Sequence, residues 1–333
     1  MSITKLENTF SLFDTTAQIL QEELDCTYLE ALAETAENLF HGAVIQEEVS
    51  EVTKRRLEKE YSKQNLTSLQ KEEIRKGFQL AILKGMKDAV QANHQMTPDA
   101  IAMFMGYLVG KYTSHLQQLT MLDPAIGTGN LLTAVLNHQP NKKLEAFGVD
   151  VDDLLVKLAY NNANLQEQAI SLFNQDGLSN LFVEPVDVVV SDLPVGYYPD
   201  DNNAANFKLK AEEGHSYAHY LFIEQGLRYT KPGGHLLFLV PNSMFEEEEA
   251  KRVNALIKDE AYIQGMLQLP ETMFQNKNHA KSILVLQKKG IGIEPPKEAL
   301  LVNLPSFSNM QAMEKIMAQI NHWFSEQKTK SNY

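Results

Sequence analysis

The sequence contains one cysteine in 333 residues, so it cannot form an internal disulfide. It has no apolar run approaching the roughly 20 residues that a membrane-spanning helix needs. Its first ten residues lack the basic start and apolar stretch of a signal peptide. We therefore expect a cytoplasmic protein in a reducing compartment, in which Cys26 is a small core residue rather than a nucleophile.

Positive charge is also scarce, with 30 Lys and Arg against 43 Asp and Glu and a net charge of −13. Affinity for phosphates comes from Lys and Arg that displace counterions, so this balance argues against autonomous binding to nucleic acid. It leaves room for a local basic patch or for a basic partner subunit. The 44% of hydrophobic residues is enough to fill a sizeable core.

The most informative stretch is QLTMLDPAIGTGN, residues 118–130. Its apolar start predicts a buried parallel strand that ends at Asp123. Gly127 and Gly129 allow a tight turn that approaches a ligand closely, and a helix is predicted over residues 129–137. Ligands of open α/β sheets bind outside the carboxyl ends of the strands, so we expect the binding site at this turn.

Two common ligands do not fit this loop. No Lys follows Gly129, as a phosphate-binding P-loop requires, and Leu132 occupies the third glycine position of a dinucleotide fingerprint. Asp123 would repel a phosphate, but it suits a ligand with a cationic amino group, such as S-adenosylmethionine. An ordinary strand–turn–helix without a ligand is the alternative for the loop taken alone.

Two more predicted strands end near an acid. Residues 143–150, KLEAFGVD, end in Asp150, roughly 20 residues beyond the loop, which is the spacing at which a carboxylate binds ribose hydroxyls. A third strand, residues 169–173, is followed by Asp176 and Gly177, and an acid there can accept a hydrogen bond from an adenine amino group. Three acids at neighbouring strand ends indicate a nucleoside site more specifically than the loop alone.

The motifs DPAIGTGN, FGVDVD, FNQDG, VVVSDLPVG, KPGG and LPETMF follow one another in this order. In this order they resemble the class I S-adenosylmethionine-dependent methyltransferases of the N6-adenine DNA methylase family, type I modification-subunit branch, and most closely its YtxK-like group. The resemblance covers residues 96–289 and implies S-adenosylmethionine as cofactor. The residues that it implies for cofactor binding are Thr97, Asp123, Pro124, Ala125, Gly127, Gly129, Asn130, Asp150, Val151, Asp176, Gly177 and Asp192.

Within that set the resemblance implies separate tasks. Asp123 and the two loop glycines would hold the methionine end, Asp150 the ribose, and Asp176 with Gly177 the adenine. Thr97 belongs to the family's entry motif, which lies against the methionine part.

The acceptor motif is expected at the end of the strand over residues 186–192, in SDLPVG. Relatives that methylate amino groups carry Asn, Asp or Ser, then Pro-Pro and an aromatic residue here. A side-chain oxygen and a backbone carbonyl accept the two N–H bonds of the adenine amino group, while the aromatic ring stacks on the flipped base. We assign Asp192 and the carbonyl of Pro194 or Leu193 to the first two roles. For Asp192 the alternative is a strand-end carboxylate that caps backbone N–H groups.

The aromatic position of that motif holds Val195, which cannot stack. Tyr197 and Tyr198 follow and are the candidates for stacking, with packing in a half-exposed loop as the alternative. Residues 199–216 are a candidate lid or an ordinary loop. His215 and His219 have no Cys or His partner at metal spacing, so we expect no metal site.

The pattern of elements predicts two domains, an N-terminal helical domain over residues 1–93 and a methyltransferase domain over residues 94–333. A helix is expected within residues 10–40, with Asp14, Thr15 or Thr16 as its N-cap. From residue 94, strands alternate with helices, which predicts an α/β protein. Its sheet should be the seven-stranded, mostly parallel, Rossmann-like sheet of the methyltransferases, with KPGG as a turn and residues 294–301 as a linker.

The leading hypothesis is an adenine-specific N6 DNA methyltransferase with a degenerate acceptor motif. Because the charge balance is negative and we expect no target-recognition domain, the protein would either act with a partner specificity protein or methylate a different acceptor. A second hypothesis keeps the cofactor and changes the acceptor to RNA or a protein amide. A third is a non-catalytic S-adenosylmethionine-binding interaction protein whose acceptor motif has drifted.

Overall fold

The computed structural model describes residues 3–88, 96–245, 249–274, 276 and 279–328. These residues include eleven α-helices. They are α1 Ile3–Leu24, α2 Tyr28–His41, α3 Glu51–Tyr61, α4 Lys71–Asp88, α5 Asp99–Tyr112, α6 Asn130–Asn137, α7 Asp153–Leu165, α8 Asp201–Ala204, α9 Ala218–Arg228, α10 Ala250–Glu260 and α11 Met310–Lys328. Short 3₁₀ turns add Leu66–Ser68, Asn242–Phe245 and Glu271–Met273. None of the described helices is long and apolar enough to cross a membrane.

The described strands form one sheet in the order β3-β2-β1-β4-β5-β7-β6-β8. They are β1 Gln118–Asp123, β2 Lys143–Asp150, β3 Ile170–Asn174, β4 Val186–Asp192, β5 Thr230–Pro241, β6 Ala261–Gln268, β7 Lys281–Lys288 and β8 Leu300–Asn303. Strand β4 is parallel to β1 and β5, while β7 is antiparallel to β5 and β6. The predicted α/β class and mostly parallel sheet are confirmed.

The strand count differs from the prediction, since the sheet has eight strands and not seven. The additional strand β8 pairs in parallel with β6 at the sheet edge. It begins inside the segment 294–301 that the sequence indicated to be a linker. Strand β8 has only four residues, with alternating burial, which is too short a hydrophobic pattern to predict a strand close to a Pro-Pro dipeptide.

The chain forms two compact units that interleave along the sequence. The first comprises Met1–Gly106, Ile126–Pro140 and Gly148–Gln175, and the second comprises Tyr107–Ala125, Asn141–Phe147 and Asp176–Tyr333. In the first unit the N-terminal helices share one core with α7, in which Phe13, Leu32, Phe78 and Leu158 are fully buried. The predicted boundary at residue 93 lies outside the described residues, so the domain division stays a prediction.

The predicted helix start at residues 14–16 is wrong, because α1 already begins at Ile3. The structure also divides the predicted helical stretch into α1 and α2, a break that the apolar pattern did not indicate. Thr27 caps α2 by accepting from the Glu30 N–H at 3.3 Å, and the Glu30 carboxylate accepts from the Thr27 N–H at 2.7 Å. This reciprocal pair is a capping box.

In the second unit the KPGG motif lies inside β5 as a bulge rather than before the strand as a turn. Val186 of β4 pairs with Thr230, and Val188 pairs with His235. An advance of two residues along β4 therefore corresponds to five residues along β5, and the additional residues of β5 form the bulge. Gly233 sits in the bulge with φ +81°, a conformation that favours glycine. Beyond the bulge the two strands stay in register to Asp192, which pairs with Leu239.

Candidate active site

In the first unit, the glycine loop after β1 contacts the end of β2. Gly127 and Gly129 both adopt left-handed conformations, with φ +55° and +76°. The Gly127 N–H donates to the Asp150 carboxylate at 2.8 Å, and the other carboxylate oxygen accepts from the Asp152 N–H at 3.1 Å. The structure therefore brings together the loop and the acid that the sequence assigned to the ribose.

The two glycines differ in what surrounds them. A Cβ added at Gly129 would lie 3.2 Å from the Ala159 Cβ, so this glycine lets the loop pack against α7. A Cβ added at Gly127 would meet no heavy atom within 4 Å. Val151, beside Asp150, is 74% exposed. An open backbone position next to a carboxylate and an exposed apolar side chain fits a nucleoside ligand.

Asn130 and Thr97 are also in contact, through the Asn130 side chain. The Asn130 amide donates to the Thr97 carbonyl at 3.1 Å and its oxygen accepts from Arg75 Nη1 at 2.7 Å. Asn130 is 3% exposed, so its side chain is held at the start of α6 by these two bonds.

Arg75 is a residue that the sequence analysis missed. Its side chain is completely buried and contacts the carboxylates of Glu72, at 2.8 Å, and Asp99. Burial alone would raise the pKa of Glu72, but the hydrogen bond and charge of Arg75 outweigh it, and the pKa lies below its usual value. Arg75 connects α4 to Asn130, 55 positions away, and no local sequence pattern signals such a contact.

In the second unit, Asp123 closes β1 with its carboxylate buried. It accepts hydrogen bonds from Ser191 Oγ at 2.7 Å and from the Ala125 N–H at 3.1 Å. Asp123 is only 1% exposed. A buried carboxylate with satisfied hydrogen bonds is held in a fixed orientation at the strand end.

Pro124 and Gly177 are in close contact in this unit. A Cβ added at Gly177 would lie 2.0 Å from the Pro124 carbonyl oxygen. Real Cβ atoms do not approach backbone oxygens so closely, so this position requires glycine. The glycine predicted for cofactor binding therefore has a packing role of its own.

Asp176, which precedes Gly177, is bound by Tyr198. The Tyr198 hydroxyl donates to the Asp176 carboxylate and accepts from the Asn203 amide at 2.8 Å. Burial, together with the neighbouring Asp176, raises the pKa of Tyr198 to about 12, so the phenol stays a neutral donor. Tyr198 was a candidate for stacking, but it is 6% exposed and orients Asp176 instead.

The acceptor motif follows β4 in the same unit. The Asp192 carboxylate forms an ion pair with Lys281, whose Nζ lies 2.5 Å from Oδ1. Leu193 is buried and its N–H donates to the Leu239 carbonyl at 3.2 Å, whereas Pro194 and Val195 are exposed. Lys281 opens β7 and was not singled out in the sequence.

Tyr197 is presented to solvent as part of an aromatic pair. It is 62% exposed, and its ring stacks on that of Tyr217 with centroids 4.7 Å apart and an interplanar angle of 21°. A β-bridge joins the two residues, and the Gly196 carbonyl accepts from the Ala218 N–H at 2.8 Å. The sequence missed Tyr217, because its contact with Tyr197 depends on a loop that closes over twenty residues.

The segment 199–216 contains the short helix α8 and is anchored to α9. The Glu224 carboxylate accepts from the backbone N–H groups of Lys208 and Leu209 at 3.0 and 2.9 Å. A lid function for this segment stays a prediction. Across the described ranges, no cluster of three His, Cys, Asp or Glu side chains could hold a metal ion.

The fold is that of a class I S-adenosylmethionine-dependent methyltransferase. The chain belongs to the N-6 DNA methylase family, whose model matches residues 86–333, and residues 7–86 match the YtxK N-terminal helical domain. The cofactor of such enzymes is S-adenosylmethionine.

Three similar proteins illustrate the match. The uncharacterised Bacillus subtilis protein YtxK is 48% identical over 320 residues, covering 96% of this chain and 97% of that protein. A crystal structure from Listeria monocytogenes, provisionally described as a class I S-adenosylmethionine-dependent methyltransferase, is 50% identical with a TM-score of 0.90, covering 97% of this chain and 100% of its own. The methyltransferase subunit of a Streptococcus thermophilus type I restriction-modification system shares the fold, with a TM-score of 0.64 and 15% identity over 94% of this chain and 74% of its own.

Proposed function

We propose that this chain methylates the N6 amino group of adenine in DNA and that a partner protein supplies sequence recognition. The observation that carries the proposal is the Asp192 carboxylate at the end of β4, followed by the exposed ring of Tyr197, which stacks on the half-buried ring of Tyr217. Membership of the N-6 DNA methylase family and the fold shared with a type I modification subunit support it.

When bound, S-adenosylmethionine supplies a methyl group on a positively charged sulfur. Asp123 and the backbone of Gly127 and Gly129 would bind the methionine end, Asp150 the ribose, and Asp176 the adenine amino group. Additional contacts are assigned to Thr97, Pro124, Ala125, Asn130, Val151, Gly177 and Asp192. The bonds that already fix Asp123, Asp150 and Asp176 keep these carboxylates oriented before the cofactor arrives.

The acceptor residues have a chemical reason for their types. The lone pair of an adenine amino group is delocalised into the ring, so the group is a poor nucleophile. Asp192 would accept one N–H and the Pro194 carbonyl the other, which draws the lone pair out of the ring and toward the methyl group. Tyr197 would stack on the flipped base, the role that Val195 cannot fill. Rate enhancement then comes mainly from positioning.

The need for a partner follows from charge. The chain carries a net charge of −13, so its own phosphate affinity is expected to be weak. A specificity protein with basic surfaces would supply both the phosphate contacts and the sequence recognition.

The test uses the full chain with methyl-labelled S-adenosylmethionine and, separately, single-stranded DNA, RNA and protein at low ionic strength. Single-stranded DNA needs no base to be unpaired, and low salt favours weak phosphate contacts. We expect the label in DNA, recovered as N6-methyladenine. Asp192→Ala should reduce transfer by about 10²-fold, far more than it lowers cofactor affinity, because Asp192 is only one of several residues assigned to the cofactor.

The matched control is Glu213→Ala, which removes an exposed carboxylate from the segment between β4 and α9 and should leave transfer unchanged. Label in RNA or in a protein amide would contradict the assignment of DNA. Cofactor binding without transfer to any of the three would favour a non-catalytic interaction protein.

A further inference from the structure

Lys281 has no role in the function proposed above, yet it contacts the central acceptor residue. Its Nζ lies 2.5 Å from Asp192 Oδ1, and each of the two side chains is 18% exposed. The pair is thus largely shielded from water but still reachable from solvent. A shielded charge pair interacts more strongly than one on the open surface.

The sheet register explains how these two residues meet. Strand β5 lies between β4 and β7, where Asp192 pairs with Leu239 and Lys281 pairs with Pro241. Leu239 and Pro241 are two positions apart, so their partners point to the same face of the sheet. Asp192 and Lys281 therefore reach toward each other across the end of β5.

The start of β7 is fixed on both sides of Lys281. The Asn242 N–H donates to the Ala280 carbonyl at 2.9 Å, and Ser282 Oγ donates to Asn242 Oδ1 at 2.7 Å. Ser282 is buried. These bonds tie the residues before and after Lys281 to the end of β5, so the lysine stem leaves from a defined position.

The pair offers more chemistry than a lone carboxylate. A carboxylate only accepts hydrogen bonds, whereas an ammonium has three donors, of which one is directed at Asp192. An acceptor and a donor thus lie side by side. Adenine presents the complementary edge, since its N6 amino group donates and the adjacent ring nitrogen N1 accepts.

We propose that Lys281 donates a hydrogen bond to N1 of the target adenine while Asp192 accepts from its N6 amino group. Lys281 is then a specificity-determining residue, an inference that rests on the proposed function. It selects acceptors in which the carbon that carries the amino group is also bonded to a ring nitrogen with a free lone pair. Its positive charge repels acceptors that are alkylammonium groups. The exposed ring of Tyr197 favours a flat base over a protein amide as the occupant.

The test compares methyl transfer to two single-stranded oligonucleotides, one with adenine and one with 1-deazaadenine, which lacks the N1 lone pair. We expect the wild type to favour adenine by about tenfold or more in kcat/KM, the effect of one hydrogen bond from a charged donor. Lys281→Met should bring this ratio close to one, and Lys281→Arg should restore part of it. Lys251→Met, at an exposed position of α10, is the matched control and should keep the wild-type ratio.

The ratio cancels general losses of stability, and dividing the wild-type ratio by that of Lys281→Met cancels the altered reactivity of the deaza base. Where Lys281→Met turns over too slowly, the same ratio is measured as binding of both oligonucleotides to the protein loaded with S-adenosylhomocysteine. An unchanged ratio in Lys281→Met would overturn the role of Lys281 and leave the proposed function standing. A wild type that transfers no methyl group to adenine would overturn both.

Discussion

Replacing Arg75 by Met tests whether the N-terminal helices support the glycine loop. The substitution removes a completely buried guanidinium that binds Glu72, Asp99 and Asn130. Breaking a buried ion pair from one side costs about 3–5 kcal/mol. The Glu72 and Asp99 side chains are 30% and 32% exposed, so water can solvate these carboxylates once the guanidinium is gone. We therefore expect the free energy of unfolding to fall by about 3 kcal/mol, the lower end of that range.

For a chain of 333 residues, an unfolding entropy of about 2 cal/mol/K per residue converts this loss into a Tm lower by about 4 °C. Asn130 also loses a bond that orients it at the start of α6, so affinity for S-adenosylmethionine should fall by about tenfold. Thermal unfolding and calorimetric titration measure the two effects. Arg55→Met, at an exposed position of α3, should change neither. A loss under 1 kcal/mol with unchanged cofactor affinity would refute the reasoning.

Three further predictions concern stability. Burial, and to a lesser degree His115, lowers the pKa of His235 to about 4, so between pH 6.5 and pH 4 this histidine is protonated in the unfolded chain and neutral in the folded one. The free energy of unfolding should therefore be highest above pH 6.5 and fall by about 3 kcal/mol toward pH 4. Urea titrations measure this fall, and His235→Phe should abolish it. Gly177→Ala places a Cβ against the Pro124 oxygen and should destabilise by about 1–3 kcal/mol, and an unchanged Tm would contradict that contact. Thr27→Ala removes the cap of α2 and should lower the urea midpoint by the equivalent of about 1 kcal/mol, whereas Thr27→Ser should preserve it.

The sequence predicted those parts of the fold whose signal is local. Strands β1 and β4 were predicted within one residue of their observed ends, because each is a short apolar run bounded by an acid or by turn residues. The start of α2 was missed, because the apolar periodicity continues across residues 25–27 and conceals the capping box at Thr27. The KPGG motif has turn composition, but pairing with β4 draws it into β5 as a bulge.

The candidate site shows the same division between local and long-range information. Asp123, Asp150 and Asp192 could be assigned because each ends a recognisable strand. Arg75 and Lys281 could not, since the first contacts a residue 55 positions away and the second a residue 89 positions away. The Arg75 contact depends on how two helices pack and the Lys281 contact on strand order and register, and neither can be read from residue types along one chain.

The central claim is that Asp150 binds the ribose of S-adenosylmethionine. Asp150 also holds the Gly127 N–H, so a loss of affinity in Asp150→Ala would not by itself distinguish a ribose contact from support of the loop. The most direct measurement is calorimetric titration of wild type and Asp150→Ala with S-adenosylhomocysteine and with its 2′-deoxy analogue. We expect the wild type to favour the ribose form by about tenfold, the value of one hydrogen bond to a charged group, and Asp150→Ala to bind both forms equally. A variant that kept the wild-type preference, or a wild type that bound neither compound, would contradict the claim.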